Sequence, residues 1–360
     1  MHTMNEDQNE IAEDNEYEIM QFVIDPKQGT MRLDQYLTDR IPKVSRNKIQ
    51  NAITAGMITL NSKPVKSNYK IRPGDICDVI FPKFHDSDDI IAEDIPLDIL
   101  YEDDHIMLVN KKPGMVVHPA GGHSNGTLVN ALAGYFGKQR TETSAPPSRE
   151  RYGLVHRIDK ETSGILIIAK TDFAHVHLSK QFFDHTIERE YMALVWGEPL
   201  PNIGTITGNI GRDPHNRHKM FLFSDGLQGK HAITHYELIE SFYFVSLIKC
   251  KLETGRTHQI RIHLKHHGHP LFNDERYGGD SILKGTVFTK YKQFIQNCYK
   301  MVPRFALHAR SLGFIHPHTN EKMFFEIPPP DDFTQLVEKW RHYVSHRKEQ
   351  LVDNNEVWED

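Results

Sequence analysis

The sequence predicts an α+β protein in which a small basic domain precedes a larger domain built on a mainly antiparallel, mixed sheet. Residues 31–83 follow a helix–helix–hairpin order, which is typical of a compact small domain. From about residue 98 to residue 330, strand-like and helix-like segments mix without the regular βα alternation of a parallel sheet. The chain has 360 residues, a length that favours two or three domains over one.

The charge of the chain is unevenly distributed. Its net charge is −5, but residues 1–19 contain seven acids and residues 349–360 contain five, with no Lys or Arg in either stretch. The body between these ends therefore carries +7, and residues 27–83 alone hold 11 Lys/Arg against 4 Asp/Glu. Acidic ends of this kind are typical of solvated tails. A basic small domain favours nucleic acid as a partner.

These shifts in composition divide the chain into five segments. Residues 85–104 hold nine acids, which predicts a linker that merges into the following domain near Leu97. The predicted segments are an acidic disordered tail (1–26), a small α/β domain (27–84), an acidic linker (85–97), a large domain (98–332), and a C-terminal helix with an acidic tail (333–360).

The cysteines and the N-terminus predict a reducing, cytoplasmic compartment. Cys77, Cys250 and Cys298 lie far apart and form no CxxC, so neither a disulfide framework nor a zinc ribbon is indicated. The polar N-terminus has no apolar segment typical of a secretory signal. No run of 18 apolar residues predicts a membrane span. Nothing in the sequence requires more than a monomer.

The small domain is predicted to begin with two helices. "MRLDQYLTDR" places Leu33, Tyr36 and Leu37 at helical spacing, and "SRNKIQNAITAG" offers Ser45 as an N-cap and Gly56 as a C-terminal stop. "MITLNSKPV" then predicts a hairpin that turns at Asn61-Ser62-Lys63, and "RPGDICDVIFP" predicts a closing strand. This unit of about 50 residues resembles the S4 RNA-binding domain.

The resemblance to the S4 domain implies that the basic side chains of this unit contact RNA. Contacts to phosphates position a protein on RNA but do not read its sequence. We expect such contacts from Arg32, Arg46, Lys48 and Lys63.

The large domain shows recognisable strands and helices. "TLVNALAGYF" and "RTHQIRIHLKHHG" predict helices, the second ending at Gly268, and "DDFTQLVEKWRHYVSH" predicts a last amphipathic helix. "SFYFVSLIKCKLETG" predicts a strand. "HIMLVNKKPGMVVHPA" and "RFALHARSLGFIHPHTNEKMFFEIPPP" each predict two strands around a turn.

The stretch "GLVHRIDKETSGILIIAK" places Arg157 and Asp159 directly before an apolar run that predicts a buried strand. A charge at such a position costs free energy unless it is paired, so the acid either forms an ion pair or takes part in chemistry. HRID is similar to the kinase HRD loop, but a residue intervenes and Gly164 stands where that loop needs asparagine. "TDFAH" lacks the glycine of DFG, and no glycine-rich phosphate loop occurs, so a phosphotransferase is disfavoured.

From Leu100 to Pro330 the chain resembles the RluA/RluD-type pseudouridine synthases. The resemblance rests on "NKKPGMVVHP", "GLVHRIDKETSGILIIAK", "IEREYMALVWG", "LETGRTHQIRIHLKHHGHPLFND..YG" and "LHARSLGFIHP", which occur in the family's order. Ile158 replaces the commoner leucine of HRxD. The resemblance implies an enzyme that breaks the C1′–N1 bond of a uridine, turns the uracil and joins C1′ to C5, with no metal or cofactor.

The resemblance also implies roles for residues in these motifs. Asp159 matches the catalytic aspartate, which acts either on the sugar or by removing the C2′ proton, two mechanisms that stay open here. Tyr191 would stack on the target uracil and offer its hydroxyl for a proton, and Arg261 would pair with the acid. Arg157 would fill the gap left by an extruded uridine. Arg256 and His258 share the segment of Arg261 and are expected to contact RNA, and Arg256 is the second candidate for the arginine that pairs with the acid.

A metal site and two other functions are the alternatives to this interpretation. His263 and His267 have a metal-ligand spacing, but no HExxH, cysteine or carboxylate completes a site, so we expect no metal. The protein could be an RNA-binding or ribosome assembly factor whose catalysis is incidental. It could also modify transfer RNA. An S4 domain joined to a large catalytic domain is most like the members that modify large-subunit ribosomal RNA, which is an argument by analogy.

Overall fold

The computed structural model describes residues 17–42, 44–82, 90–119, 124–138, 151–216, 218–286 and 288–354. The helices in these ranges are α1 (Leu33–Thr38), α2 (Arg46–Thr54), α3 (Leu128–Lys138), α4 (Asp172–Phe183), α5 (Gln259–His266), α6 (Thr289–Met301) and α7 (Asp331–Asn354). The strands are β1 (Tyr17–Val23), β2 (Ile58–Leu60), β3 (Lys63–Pro64), β4 (Ile76–Pro82), β5 (Ile99–Glu102), β6 (Ile106–Lys111), β7 (Ser163–Ala169), β8 (Glu188–Trp196), β9 (Ile203–Arg212), β10 (Met220–Phe223), β11 (Lys230–Ser241), β12 (Val245–Leu252), β13 (Leu307–Ile315) and β14 (Lys322–Glu326).

The small domain packs α1 and α2 on an antiparallel sheet of order β1-β4-β2-β3. Ser45 caps α2 as predicted, because its hydroxyl accepts the backbone N–H of Lys48 at 3.4 Å. Gly56 follows the end of α2 at φ 75°. The hairpin between β2 and β3 turns through Asn61 and Ser62, both at positive φ, as two-residue hairpins require. The predicted helix–helix–hairpin order is confirmed.

The expected tail at residues 1–26 is wrong for its last part, because Tyr17–Val23 forms β1 and pairs with β4 along its whole length. Met20 and Phe22 pack against the core of the small domain, and Gln21 and Val23 are exposed. The burial of residues 20–23 therefore alternates as expected for a strand with one buried face. Residues 1–16 lie outside the described residues.

The large domain is built on a ten-stranded sheet of order β10-β9-β11-β12-β8-β13-β7-β6-β5, with β14 paired to β13. Only β13 and β7 pair in parallel among the described strands, and the other pairs are antiparallel. The predicted α+β class with a mainly antiparallel mixed sheet is confirmed. The central strands β7, β8 and β13 are largely buried, so residues at their ends can be held rigidly.

The expected linker at residues 85–97 is ordered against the large domain from residue 90 onward. Ile90 and Leu97 pack against the main core, and the Oε1 of Glu93 accepts the backbone N–H of Gly126 at 2.8 Å. A Cβ on Gly134 of α3 would lie 2.0 Å from the carbonyl oxygen of Glu93. The segment is therefore part of the large domain, because its acid satisfies backbone donors beside α3. Residues 83–89 lie outside the described residues.

The second strand expected in "HIMLVNKKPGMVVHPA" is wrong. After the turn at Pro113 and Gly114, the carbonyls of Val116 and Val117 accept the backbone N–H groups of Leu128 and Val129, which start α3. These carbonyls therefore satisfy donors that a helix leaves open at its N-terminus, and they pair with no strand.

The last helix belongs to the body of the large domain, which corrects the boundary expected at residue 333. Helix α7 begins at Asp331, and Phe333, Leu336 and Trp340 are fully buried together with Trp196 of β8. A helix with so much buried apolar surface packs as part of the core. The acidic residues 355–360 lie outside the described residues.

The two domains touch through α4. The hydroxyl of Tyr17 donates to the carbonyl of Ser179 at 2.8 Å, and its ring lies edge-on to Phe183 with centroids 5.1 Å apart. Val176 of α4 is buried in the core cluster of the small domain. Strand β1 is thereby placed beside the large domain. Among the described helices, none is long and apolar enough to cross a lipid bilayer.

Candidate active site

The loop that carries Asp159 is held by two buried cations. Lys111 is 2% exposed, and its Nζ donates to the carbonyls of Lys112, Met115 and Lys160 at 2.9, 2.9 and 2.8 Å. Arg304 donates Nη1 to the carbonyl of Glu161 at 3.1 Å. Lys160 and Glu161 are the two residues after Asp159 in the chain. The hydrogen bonds to their carbonyls therefore fix the backbone that positions the acid.

Gly164 allows this loop to enter β7. Its φ is 121°, and a Cβ on it would lie 2.1 Å from the carbonyl oxygen of Ala309 in β13. The parallel pair of β7 and β13 therefore requires a glycine here, since any side chain would collide with backbone.

Arg261 joins two carboxylates. Its Nη1 donates to Oδ2 of Asp159 at 3.0 Å, while Nε and Nη2 donate to the two carboxylate oxygens of Asp274 at 2.8 and 2.9 Å. The side chains of Arg261 and Asp274 are 5% and 0% exposed. Arg261 also lies over the ring of Phe305, with its guanidinium carbon 4.0 Å from the centroid. The expected pairing of Arg261 with Asp159 is present in this geometry.

Asp159 is half-buried, with 18% of its side chain exposed, and it is ionised. Burial opposes its charged form, yet its pKa lies below the ordinary value of 3.8 because His258, Arg261 and Arg157 favour the charge and Arg261 hydrogen-bonds it. Burial also holds the pKa of His258 well below 6.5, so its ring is neutral near pH 7. The two arginines therefore carry the stabilisation of the carboxylate.

Tyr191 lies at the centre of the sheet on β8, paired with Cys250 of β12 and Ala309 of β13. It is 8% exposed. Burial raises the pKa of its phenol, Arg189 opposes this shift and the charge of Asp159 adds to it. The hydroxyl is therefore protonated at neutral pH and can donate a hydrogen bond.

The expected site residues of the large domain line one cavity of about 450 Å³. A volume of this size suits one small organic group. Among its described lining residues, Asp159 is the acid, and the cations are Arg157, Arg189, Lys230, Arg256 and Arg261. The excess of positive charge favours a polyanion as the ligand, with one of its groups inserted into the cavity. The expected residues that share it are Asp159, Tyr191, Arg261, Arg157, Arg256 and His258.

The two candidate RNA contacts near Arg261 differ in exposure. Arg256 is half-buried, and its Nε donates to the carbonyl of His231 at 3.1 Å. His258 is only 3% exposed, and its Nδ1 lies 2.7 Å from the hydroxyl of Tyr277. A surface contact between His258 and an RNA phosphate does not fit this burial, because the ring is neutral and enclosed.

The basic residues expected to bind RNA in the small domain lie outside the cavity. Arg32 and Arg46 both donate to the buried Asp34, and their side chains remain 42% and 47% exposed. Lys63 is exposed on the hairpin. Lys48 is half-buried, and burial lowers its pKa while the charge of Asp172 on α4 opposes the shift. Lys48 therefore faces the contact between the domains.

The histidines of "HLKHHGHP" are engaged in local contacts. His263 lies 2.9 Å from the hydroxyl of Thr234, and His269 lies 2.9 Å from the carbonyl of Trp196. Within the part of the chain that the structure describes, no three His, Cys, Asp or Glu side chains are grouped to hold a metal ion.

Several residues of this site were not singled out from the sequence. Asp274 and Lys111 stand inside quoted motifs, but an acid and one of two adjacent lysines carry no signal of their burial. Tyr17 and Ile19 of β1 also line the cavity, and the aromatic and β-branched residues of "YEIMQFV" were the available signal. The small domain thus contributes a wall of the site.

Comparison with known proteins agrees with this architecture. Residues 31–77 match the S4 domain family, and residues 105–266 match the family described as RNA pseudouridylate synthase. An "Uncharacterized RNA pseudouridine synthase" of Chlorobaculum parvum is 43% identical over 315 residues, covering 87% of this chain and 95% of the relative. The "Ribosomal large subunit pseudouridine synthase D" of Zymomonas mobilis is 40% identical over 312 residues, covering 85% and 92%.

A solved structure supports the fold alone. The structure titled "Human RNA Pseudouridylate Synthase Domain Containing 4" aligns with a TM-score of 0.52 at 23% identity, covering 68% of this chain and 92% of that chain. The relatives at 40% identity and above, which extend over most of both chains, show more than the fold. This protein belongs to the RNA pseudouridine synthase family and is an isomerase of uridine in RNA that carries an S4 domain before its catalytic domain.

Proposed function

We propose that this enzyme converts specific uridines of large-subunit ribosomal RNA to pseudouridine, as a cytoplasmic monomer without metal or cofactor, and that Asp159 is the catalytic group. The observation that carries the proposal is the ion pair between Asp159 and Arg261 in a cavity where Asp159 is the one acid among the described lining residues. An ionised, desolvated carboxylate is suited either to attack at C1′ or to removal of a C2′ proton.

The reaction requires no redox partner. The C1′–N1 bond breaks, the uracil turns, and a C1′–C5 bond forms. N1 then carries a proton, and the hydrogen of C5 leaves as a proton to water. Asp159 either bonds C1′ or removes the C2′ proton and later returns it, and the protonated hydroxyl of Tyr191 is available as a relay for the proton.

Tyr191 and Arg157 are proposed to hold the extruded nucleotide and the RNA around it. Tyr191 offers a buried aromatic ring beside Asp159 for stacking on the uracil. Arg157 is exposed at the same cavity, where a planar guanidinium can occupy the gap left in the base stack. Arg256 at the same cavity is proposed to bind a phosphate.

Ribosomal RNA is the proposed target because of the S4 domain and the similarity to the Zymomonas mobilis large-subunit synthase. Arg32, Arg46 and Lys63 are exposed enough to reach phosphates of a structured RNA. Lys48 is a weaker candidate because it faces α4. The fold of the target stem-loop would then supply the specificity that such contacts lack.

The test is tritium release from [5-³H]uridine-labelled ribosomal RNA isolated from cells lacking this gene, in EDTA and without nucleotide. We expect release by the wild type and none by Asp159→Ala. Asp225→Ala is the matched control, because Asp225 is exposed and does not line the cavity. Analytical ultracentrifugation of the same preparation tests the monomer.

The outcomes separate the competing functions. Release by wild type and Asp225→Ala but not by Asp159→Ala supports the proposal, and mapping the product identifies the uridine. Tight RNA binding without release from ribosomal RNA contradicts the proposed target. Release from transfer RNA in a parallel reaction would then indicate a different substrate, and no release from either would indicate an RNA-binding protein.

A further inference from the structure

His258 stands at the start of α5 in a conformation that few non-glycine residues adopt. Its φ is 56°, and its side chain makes no capping hydrogen bond to the helix. Residues held in this region of φ/ψ space cost free energy and are concentrated at functional sites. The loop before it is fixed by Gln259, whose Oε1 accepts the hydroxyl of Thr254 and the backbone N–H of Arg256 at 2.8 and 3.0 Å.

Tyr277 determines which nitrogen of His258 carries the proton. Its hydroxyl accepts the backbone N–H of Met220 at 3.1 Å and lies 2.7 Å from Nδ1 of His258. A tyrosine hydroxyl has one proton to donate, and among the described residues Nδ1 is the acceptor within reach. Nδ1 therefore accepts, and the proton of the neutral ring is on Nε2.

The Nε2 group of His258 is a buried donor without a hydrogen-bond partner among the described residues. Leaving a buried N–H unsatisfied costs free energy, and native structures rarely do so without a functional reason. His258 lines the cavity that contains Asp159, whereas Tyr277, which holds the opposite nitrogen, does not. Nδ1 is thus held by a residue outside the cavity, and Nε2, itself enclosed, is the unpaired nitrogen of a residue that lines the cavity.

The ring stays neutral in this environment. Burial is the largest influence on the pKa of His258 and lowers it; the charge of Asp159 opposes this, and the charges of Arg261, Arg276 and Arg157 add to it. A neutral imidazole N–H can stabilise negative charge on a substrate oxygen without giving up its proton.

We propose that His258 is a catalytic residue whose Nε2–H donates a hydrogen bond to a carbonyl oxygen of the target uracil, and that Tyr277 is the positioning residue that sets its tautomer. This inference rests on the proposed function. When C1′–N1 breaks, the electron pair of that bond passes to the uracil, where it spreads over N1 and the carbonyl oxygens. The donor stabilises that charge and keeps its own proton, while the C5 proton goes to water.

The first test compares single-turnover tritium release by wild type, His258→Leu and His258→Gln on the RNA that the wild type modifies. Leu removes the donor, and the side-chain amide of Gln can place an N–H near the position of Nε2. We expect His258→Leu to lose about 10²-fold in rate, as for removal of one preorganised donor, with unchanged RNA affinity, and His258→Gln to recover part of the loss. Tyr277→Phe is expected to be slower than wild type with the same RNA affinity.

The second test places 2-thiouridine or 4-thiouridine at the target position, because a thiocarbonyl sulfur is a poorer acceptor than oxygen. One of the two substitutions is expected to slow the wild type and to leave His258→Leu nearly unaffected, which identifies the oxygen that accepts the hydrogen bond. A residue with only a structural role would not produce this dependence on the substrate atom.

Three results would overturn the inference. The first is a rate for a folded His258→Leu within twofold of the wild type. The second is an equal penalty of each thio substitution in wild type and His258→Leu. The third applies if His258→Leu does not fold. In that case, the inference is overturned if each thio substitution slows wild type and His258→Gln equally and the rate of Tyr277→Phe is unchanged. A wild type without release would instead contradict the proposed function itself.

Discussion

Arg261 is clamped by Asp274 through two parallel hydrogen bonds of 2.8 and 2.9 Å between fully enclosed side chains. This bidentate pairing fixes the plane of the guanidinium before any RNA arrives. The remaining Nη1 is then directed at Asp159. The orientation of the proposed catalytic carboxylate thus depends on a second acid that does not line the cavity.

Asp274→Asn tests this dependence. Removing the charge weakens two hydrogen bonds to a buried guanidinium that keeps Asp159 as its counter-ion, so we expect a loss of about 2–3 kcal/mol in the free energy of unfolding. Urea denaturation followed by fluorescence measures it. We also expect slower tritium release, because the guanidinium is free to rotate away from Asp159.

Glu240→Gln is the matched control, since Glu240 pairs with Arg341 at the surface with 36% and 40% of the two side chains exposed. A surface pair contributes about 0–1 kcal/mol. If Asp274→Asn and Glu240→Gln lose the same free energy of unfolding, the pairing of Asp274 with Arg261 stabilises the protein no more than a surface ion pair does.

Lys111→Met is expected to damage the loop of Asp159. Methionine fills a similar volume but leaves the three carbonyls of Lys112, Met115 and Lys160 without their shared donor. Unsatisfied buried acceptors cost about 1–3 kcal/mol each, part of which is recovered because no ammonium group is buried. We expect a loss of about 3 kcal/mol by thermal unfolding and tritium release at least tenfold slower.

Lys112→Met provides the comparison, because this neighbour is exposed. It should unfold like the wild type, within about 0.5 kcal/mol. If Lys112→Met proves as unstable as Lys111→Met, the three-carbonyl contact is not what holds the loop.

The pH dependence of the chemical step follows from the lowered pKa of Asp159. Because the folded-state pKa lies below 3.8, the carboxylate stays ionised at mildly acidic pH, and the stability it contributes is lost only as the pH falls below 3.8 through that lowered value. We expect the single-turnover rate to show no acidic limb between about pH 5 and 8. An acidic limb near pH 6 in the wild type would contradict this expectation.

Arg261→Gln removes the charge that opposes burial, so the pKa of Asp159 should rise and an acidic limb should move to higher pH. Arg261→Lys keeps a positive charge and is the control. Both variants lose the bidentate pairing with Asp274. We therefore expect the acidic limb of the pH–rate profile to lie at higher pH in Arg261→Gln than in Arg261→Lys.

Gly164→Ala tests the close approach of β7 to β13. The added methyl would meet the carbonyl of Ala309 at 2.1 Å, at a φ of 121° that side chains rarely adopt. We expect a loss of about 3 kcal/mol from backbone strain and overpacking, measured by urea denaturation. Gly137→Ala in α3 is the control: it has open space and ordinary φ, and it should be neutral or slightly stabilising.

Local patterns predicted the elements that local physics controls. The N-cap at Ser45, the turn through Asn61 and Ser62, and the stop at Gly268 depend on backbone geometry within a few residues. Strand β1 shows where such prediction failed. The acids of the N-terminal segment favoured a tail, and the strand forms because its backbone pairs with β4, which is distant in the sequence.

The sequence by itself determined the family, the α+β class and the proposed roles of Asp159, Tyr191 and Arg261, because residue types at fixed spacings specify these. It did not determine the partners of those residues. Asp274 and Tyr277 meet Arg261 and His258 only through the packing of the segment after α5. The whole fold brings Arg157 and Arg261 to Asp159 and so keeps it ionised, and burial keeps His258 neutral. Sequence spacing specifies which groups are available, whereas desolvation and hydrogen bonding in three dimensions decide which of them are charged and where their protons lie.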